Sequence, residues 1–237
     1  CRKKMQYINN LEHFLFAEYL FTLISKIDSF FKKEIYMKKL FLFFSLIGAL
    51  SLPSFASVSA NVSFATDYIW RGMTQTGEEP AISGGFDYAA DGGFYAGIWG
   101  SNVNFSEGAG SELDLYFGYA FETESGIGID ISYVDFIYPG DTALDFQEIG
   151  IGLSYGDFGL GYYSGLDGAA DYMDFSYALG DVTFSYGDYD TYGSNILISY
   201  GFGCGEYDCS LAYSDFSSDS EDLMDEDALV FAVGASF

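Results

Sequence analysis

Six acidic residues, Asp67, Asp87, Asp114, Asp130, Glu148 and Asp174, sit on the polar side of short stretches that alternate apolar and polar residues. Carboxylates of this kind can work as general acids or bases, ligate hard cations or line an aqueous path. Hydrolytic or acyl-transfer chemistry built on a Ser–His–Asp arrangement needs an imidazole. The one His in the chain is His13, far upstream of all six acids. A general base of the usual kind is therefore missing, so the chain is expected not to be an enzyme, and no cofactor is expected.

Two further groups have chemistry in them. Cys204 and Cys209 flank the turn in CGEYDC. Alternation places Tyr200, Phe202 and Cys204 on one face, and Cys209, Leu211 and Tyr213 on the same face of the next stretch. A disulfide is the expectation if that turn lies in an oxidising compartment, contributing about 2 kcal/mol for so short a loop. A metal site is the weaker alternative, since no His accompanies the thiols. The run SSDSEDLMDED carries Asp219, Glu221, Asp222, Asp225, Glu226 and Asp227. Such a run is ordinarily a solvated surface. Its oxygens also suit Ca²⁺ or Mg²⁺ bridging to anionic lipid headgroups, although the spacing and glycine of an EF-hand loop are absent.

The elements that must position these residues follow from composition. The chain has 21 Tyr, 24 Phe and 29 Gly but 3 Pro among 237 residues, which points to an all-β fold. No uncharged apolar stretch after residue 60 is long enough for a membrane helix. Met37 to Ala56, MKKLFLFFSLIGALSLPSFA, has a two-lysine start, an apolar stretch and the small residues Ser54 and Ala56, the pattern of a secretory signal peptide. Residues 1–36 are then expected to be an upstream extension outside the mature protein, which spans 57–237. Eight of the nine Lys and Arg and four of the 35 acids precede residue 57. Arg71 is left as the single basic residue against 31 acids. Nucleic acid is excluded as a partner, because almost nothing remains to neutralise phosphates.

From Ser57 to Phe237 one unit recurs: about ten residues of alternation, then turn residues. Leu113, Leu115, Phe117, Tyr119 and Phe121 oppose Asp114, Tyr116, Gly118, Ala120 and Glu122. Ile127, Ile129, Ile131 and Tyr133 oppose Gly128, Asp130 and Ser132. The first stretch reads as Val58, Ala60, Val62, Phe64 and Tyr68 on the apolar side. FYAGIWGSNV is ambiguous, with aromatics on both faces. Connections alternate between long ones, such as IWRGMTQTGEE and YPGDTALD, and short ones, such as ADGG and two GD turns. This predicts an antiparallel transmembrane β-barrel of about 12 strands in the cell outer membrane, surrounded by outer-membrane lipid. A secreted soluble sandwich also alternates, but its apolar faces must meet around a core. The last stretch, DALVFAVGASF, keeps its period of two up to Phe237 and is expected to pair with the first strand. Its terminal aromatic looks like the signal read by the outer-membrane barrel assembly machinery.

Residues 59–105 resemble the TorF family of outer-membrane porins. The resemblance is carried by Asp67-Tyr68, Arg71-Gly72, Thr74, Thr76, Pro80-Ala81, Gly85-Phe86-Asp87-Tyr88, Gly93-Phe94-Tyr95-Ala96-Gly97, Trp99 and Ser101-Asn102-Val103. ELDLYFGY, YPG at 138–140 and IGLSYG continue it to about residue 165. It implies a porin.

If the apolar set faces lipid, the six acids face the lumen, with Gly118, Gly128, Gly150, Gly152, Gly159 and Gly161 as inward neighbours that leave space. With one cation in the mature chain the acids are expected to stay unpaired, which a dry interior would not tolerate. A wet lumen passing small cationic or neutral solutes follows as the expected function. Simple solvation of the acids near the two mouths is the alternative reading of the same residues. Arg71 either folds inward beside Asp67 and narrows the entrance, or braces the first long loop through a salt bridge. A non-conducting barrel with a structural or surface-adhesion role is the competing function. For the cysteines, the unreduced protein is expected to weigh two hydrogens less than the free-thiol form; thiols that alkylate without reduction would overturn the pairing.

Overall fold

The computed structural model describes residues 56–105, 108–220 and 223–237. The expected extension over 1–36, the expected signal peptide except Ala56, and Glu221 and Asp222 lie outside the described residues. The strands are β1 (Ala56–Ala65), β2 (Ile69–Trp70), β3 (Met73–Thr74), β4 (Ala81–Ala90), β5 (Phe94–Asn102), β6 (Ser111–Glu122) and β7 (Gly128–Ile137). They continue as β8 (Phe146–Tyr155), β9 (Phe158–Gly165), β10 (Tyr172–Leu179), β11 (Val182–Tyr189), β12 (Gly193–Cys204), β13 (Tyr207–Ser218) and β14 (Glu226–Ser236).

Among the described residues, all of these except β2 and β3 form one closed antiparallel barrel of twelve strands. Each strand pairs with its sequence neighbour, and β1 closes the ring by pairing with both β4 and β14. Asn61 faces Gly85 on one side and Ser236 on the other. Backbone bonds Ala60 N to Phe237 O (3.1 Å) and Phe237 N to Ala60 O (2.8 Å) extend the seam beyond the last strand residue. The strands therefore leave no open sheet edge.

The period of two sorts side chains without exception through the middle of the wall. Outward pairs include Phe64 with Val233, Ile98 with Leu115, Ile131 with Ile151, Phe175 with Tyr186 and Leu211 with Phe231. Large apolar side chains on this surface are well exposed, Ile82 at 65% and Phe86 at 63%. A surface so apolar around the whole circumference has a solvent in hydrocarbon and not in water. Toward the long-loop end, carboxylates enter the outward set at Asp135, Asp188, Asp215 and Asp227, which marks the edge of the apolar band. The ambiguous strand resolves as well. In β5, Phe94, Ala96 and Ile98 face out, while Tyr95, Gly97 and Trp99 pair with the inward Gly118, Tyr116 and Asp114.

The first stretch differs from its expected extent. β1 stops at Ala65, two residues short of Asp67, and the chain then turns into the barrel. Tyr68 consequently leaves the lipid-facing set and packs edge-on against the inward Trp99 at 5.4 Å. At the opposite end a disulfide joins Cys204 and Cys209, with Cα atoms 5.8 Å apart across the β12–β13 turn. An outward Ile98→Arg substitution in mid-strand is expected to lower folding stability in lipid bilayers by ~2–4 kcal/mol, read by urea titration in vesicles. Unchanged stability would mean that this face meets water.

A hairpin across the lumen as candidate functional site

The first long loop, residues 66–80, carries the small hairpin β2–β3, whose pairs are Ile69 with Thr74 and Trp70 with Met73. Both residues of its two-residue turn have positive φ, Arg71 at 50° and Gly72 at 90°, the geometry of a tight hairpin turn. Gly72 is required at the tip. A Cβ there would meet the Cβ of Asn195 at 2.5 Å and that of Phe216 at 3.0 Å, so the backbone lies against the wall of β12 and β13. The left-handed backbone costs a residue such as Arg71 roughly 1–2 kcal/mol, which its side-chain contacts must offset.

They do so on the far side of the bore. Arg71 Nη1 and Nη2 donate to Glu148 Oε1 and Oε2, both at 2.6 Å, with the two side chains only 8% and 2% exposed. Its guanidinium also lies over four rings: Trp70 and Tyr172 at 4.2 Å, Tyr189 at 4.8 Å and Tyr163 at 5.3 Å. Apart from Trp70 on the hairpin itself, these partners come from β8, β9, β10 and β11, diametrically across the strand order from β1 and β4, which carry the loop. The hairpin therefore spans the lumen. Removing one partner of a buried ion pair typically costs ~3–5 kcal/mol, because the other charge is left uncompensated, so Glu148 holds the hairpin tip in place.

Other bonds fix the loop along its length. Asp67 Oδ1 accepts the hydroxyls of Thr74 and Thr76, both at 2.7 Å. Thr76 Oγ1 accepts the amide of Tyr68, and Thr74 N donates to Glu226 Oε2 at 2.8 Å. Gln75 O accepts from Asn104 N at 2.8 Å, tying the loop to the chain after β5. Trp70 packs against Phe136, Phe146 and Tyr189 at 5.6–6.0 Å. Above the hairpin, a cavity of about 660 Å³ opens among the long loops, lined by Trp70, Met73, Gln75, Phe105, Tyr138, Asp145, Asp167 and Tyr192.

Several expectations about the lumen are corrected by this geometry. Three of the inward acids are not left unpaired. Glu148 has Arg71, Asp87 accepts from Asn61 Nδ2 (3.1 Å) and from the Tyr116 hydroxyl, and Asp130 accepts from the Tyr95 hydroxyl (3.0 Å). A count of formal charges leaves out the neutral donors that complete these acids. Asp67 does not stand beside Arg71 in the bore. It is buried at the foot of its own loop, where the threonine hydroxyls satisfy it. Nor do the inward glycines simply leave space. Tyr95 lies over Gly118, Tyr116 over Gly97, Tyr163 over Gly150 and Tyr172 over Gly187, in positions a Cβ would occupy. Asp174 points across Gly161 on the inward face of β10.

Of the acids in the last long loop, Asp225 Oδ1 accepts the Ser218 amide at 2.9 Å and Glu226 holds the hairpin. Asp227 pairs across strands with Asp215. Among the described residues no three His, Cys, Asp or Glu side chains converge as metal ligands. Sequence reasoning missed Glu112, Trp99, Tyr163, Tyr172 and Tyr189. Glu112 was within reach of the period-two rule, two residues before Asp114 on the same face. The tyrosines that cage Arg71 were not, because their meeting depends on where the hairpin tip lands. The half of the lumen nearer the short turns is lined mostly by small inward residues, including Ser57, Ser59, Ser154, Ser176, Thr183 and Ser199.

Residues 52–150 match the model of a family described as a bacterial protein of unknown function (Gcw_chp), less than half of the chain. None of the curated proteins matches. Among solved structures, OccAB4 of Acinetobacter baumannii is similar over 74% of this chain at 13% identity and a TM-score of 0.34, and this chain spans 56% of its length. A triple mutant of the Rhodopseudomonas blastica porin is similar over 77% of this chain and all of its own, at 14% identity and a TM-score of 0.33. Ail of Yersinia pestis reaches 12% identity and a TM-score of 0.17, over 77% of this chain and 97% of its own. At such scores these likenesses carry no argument about function.

Arg71→Ala removes the counter-charge from buried Glu148, and Arg71→Lys loses the planar fork that matches it. Both are expected to speed amide exchange over residues 66–80 by at least roughly tenfold while the barrel strands keep their protection. Equal protection in Arg71→Ala would mean that the hairpin stays inside for other reasons.

Proposed function

We propose that the chain is an outer-membrane porin of the TorF family, a passive channel for small cationic or neutral solutes. In this reading a signal peptide over 37–56 directs residues 57–237 to the outer membrane, and the strand ending at Phe237 is read by the barrel assembly machinery. The transmembrane barrel supports a place in lipid, and the matched stretch at 52–150 overlaps the residues that carry the TorF resemblance.

One observation carries the preference for cations. Asp87, Asp130 and Asp174 face inward, while the single guanidinium after residue 56 is already neutralised by Glu148. Phenol and amide donors satisfy Asp87 and Asp130 without cancelling their charge, so the bore keeps a negative potential. In this reading the hairpin narrows the path between the cavity lined by Trp70 and Met73 and the serine-lined half of the bore.

Purified protein in planar bilayers under a KCl gradient is expected to give single-channel steps whose reversal potential favours K⁺. Asp130→Asn with Asp174→Asn is expected to reduce the K⁺-to-Cl⁻ permeability ratio by roughly half or more. An anion preference would overturn the reading. Bilayers that stay silent with correctly folded protein would favour the non-conducting structural barrel.

A further inference from the structure

Glu112 and Asp114 lie two residues apart on β6, both on the inward face. Glu112 is 3% exposed. The Tyr68 hydroxyl donates to Glu112 Oε1 at 3.2 Å, and the Tyr138 phenol faces the same carboxylate. Trp99 stands across the strand pair from Asp114, its ring edge-on to Tyr68. An apolar cluster of Val103, Ala109, Phe136 and Tyr138 packs against Tyr68, and Phe136 stands across the strand pair from Asp114.

Within these surroundings Glu112 Oε2 and Asp114 Oδ1 are both buried with no hydrogen-bond donor among the described residues. Two ionised carboxylates offer only acceptors to one another, so a proton has to be shared or a cation has to stand between them. No side chain supplies the cation. Arg71 is bound to Glu148, and residues 57–237 contain no other Lys or Arg. A single shared proton leaves one negative charge on the pair beside an apolar cluster; a second proton or one divalent ion leaves none. The oxygen-only donor set, two carboxylates and two phenols, belongs to the hard cations.

We propose that Glu112 and Asp114, roofed by Tyr68, bind one hard divalent cation of the Ca²⁺ or Mg²⁺ class. The ion completes its coordination with water from the lumen. Because Tyr68 is the residue next to Asp67 at the foot of the hairpin, the bound ion also braces the loop that crosses the bore. The site does not depend on conduction, and its occupancy is read on folded protein in detergent micelles.

The test strips that protein with EDTA and adds Tb³⁺, whose emission is sensitised by tyrosine and tryptophan a few ångströms away. Saturable emission that Ca²⁺ displaces is expected. Its affinity should fall at least roughly tenfold in Glu112→Gln and in Asp114→Asn, and stay unchanged in Asp219→Asn on the outer loop. As a second measurement needing no variant, Ca²⁺ is expected to raise the thermal unfolding midpoint of the stripped wild-type protein. Emission that survives both substitutions would overturn the site. So would a wild-type midpoint that ignores Ca²⁺ yet rises on acidification, since protons would then hold the pair.

Discussion

Backbone amides and carbonyls in hydrocarbon have no water to bond with, and a sheet in that medium must close on itself. Closure at β1, which bonds to β4 on one side and β14 on the other, is the constraint from which the rest of the molecule follows. Once the ring is shut, every strand has one face in lipid and one in the bore. The outward set takes most of the Ile, Leu and Phe side chains. The inward set takes nearly all the polar ones, acids included, whatever their mutual repulsion.

That surplus of carboxylates is handled in three ways. Phenol and amide donors satisfy Asp87 and Asp130 while leaving their charge intact. Arg71, the one arginine after residue 56, cancels Glu148 outright, from the tip of a hairpin that reaches across the bore. Glu112 receives the Tyr68 hydroxyl on one oxygen only. The tyrosines serve twice, since the rings that fill the space over the inward glycines also carry the hydroxyls that meet the acids. Burial and then the Glu112 charge raise the Tyr68 phenol well above its ordinary range, which keeps it a donor.

The architecture was legible because period-two alternation is a local property. It gave a barrel of about twelve strands, its alternating long and short connections and the facing of Leu113 to Phe121 without any knowledge of neighbours. It failed where the chain leaves the sheet. Tyr68 continued the apolar parity of β1 on paper, but parity has no meaning beyond Ala65, where the backbone turns inward. The site was less legible for a related reason. Glu148 could be placed on the inner face, yet its bond to Arg71 joins residues 77 apart through a loop whose path no periodicity describes. Counting formal charges also hid the neutral donors Tyr95, Tyr116 and Asn61 that complete the inner acids.

The crossing hairpin has a consequence for the order of assembly. Arg71 must wait for Glu148, and Thr74 for Glu226, 152 residues downstream. Contacts between such distant positions form late, because the intervening chain must first be gathered. The early loop thus stays undocked while the later strands join, and is seated only when the cylinder is nearly whole. Entry from one open end then suffices, and the tip is trapped by walls that were made after it.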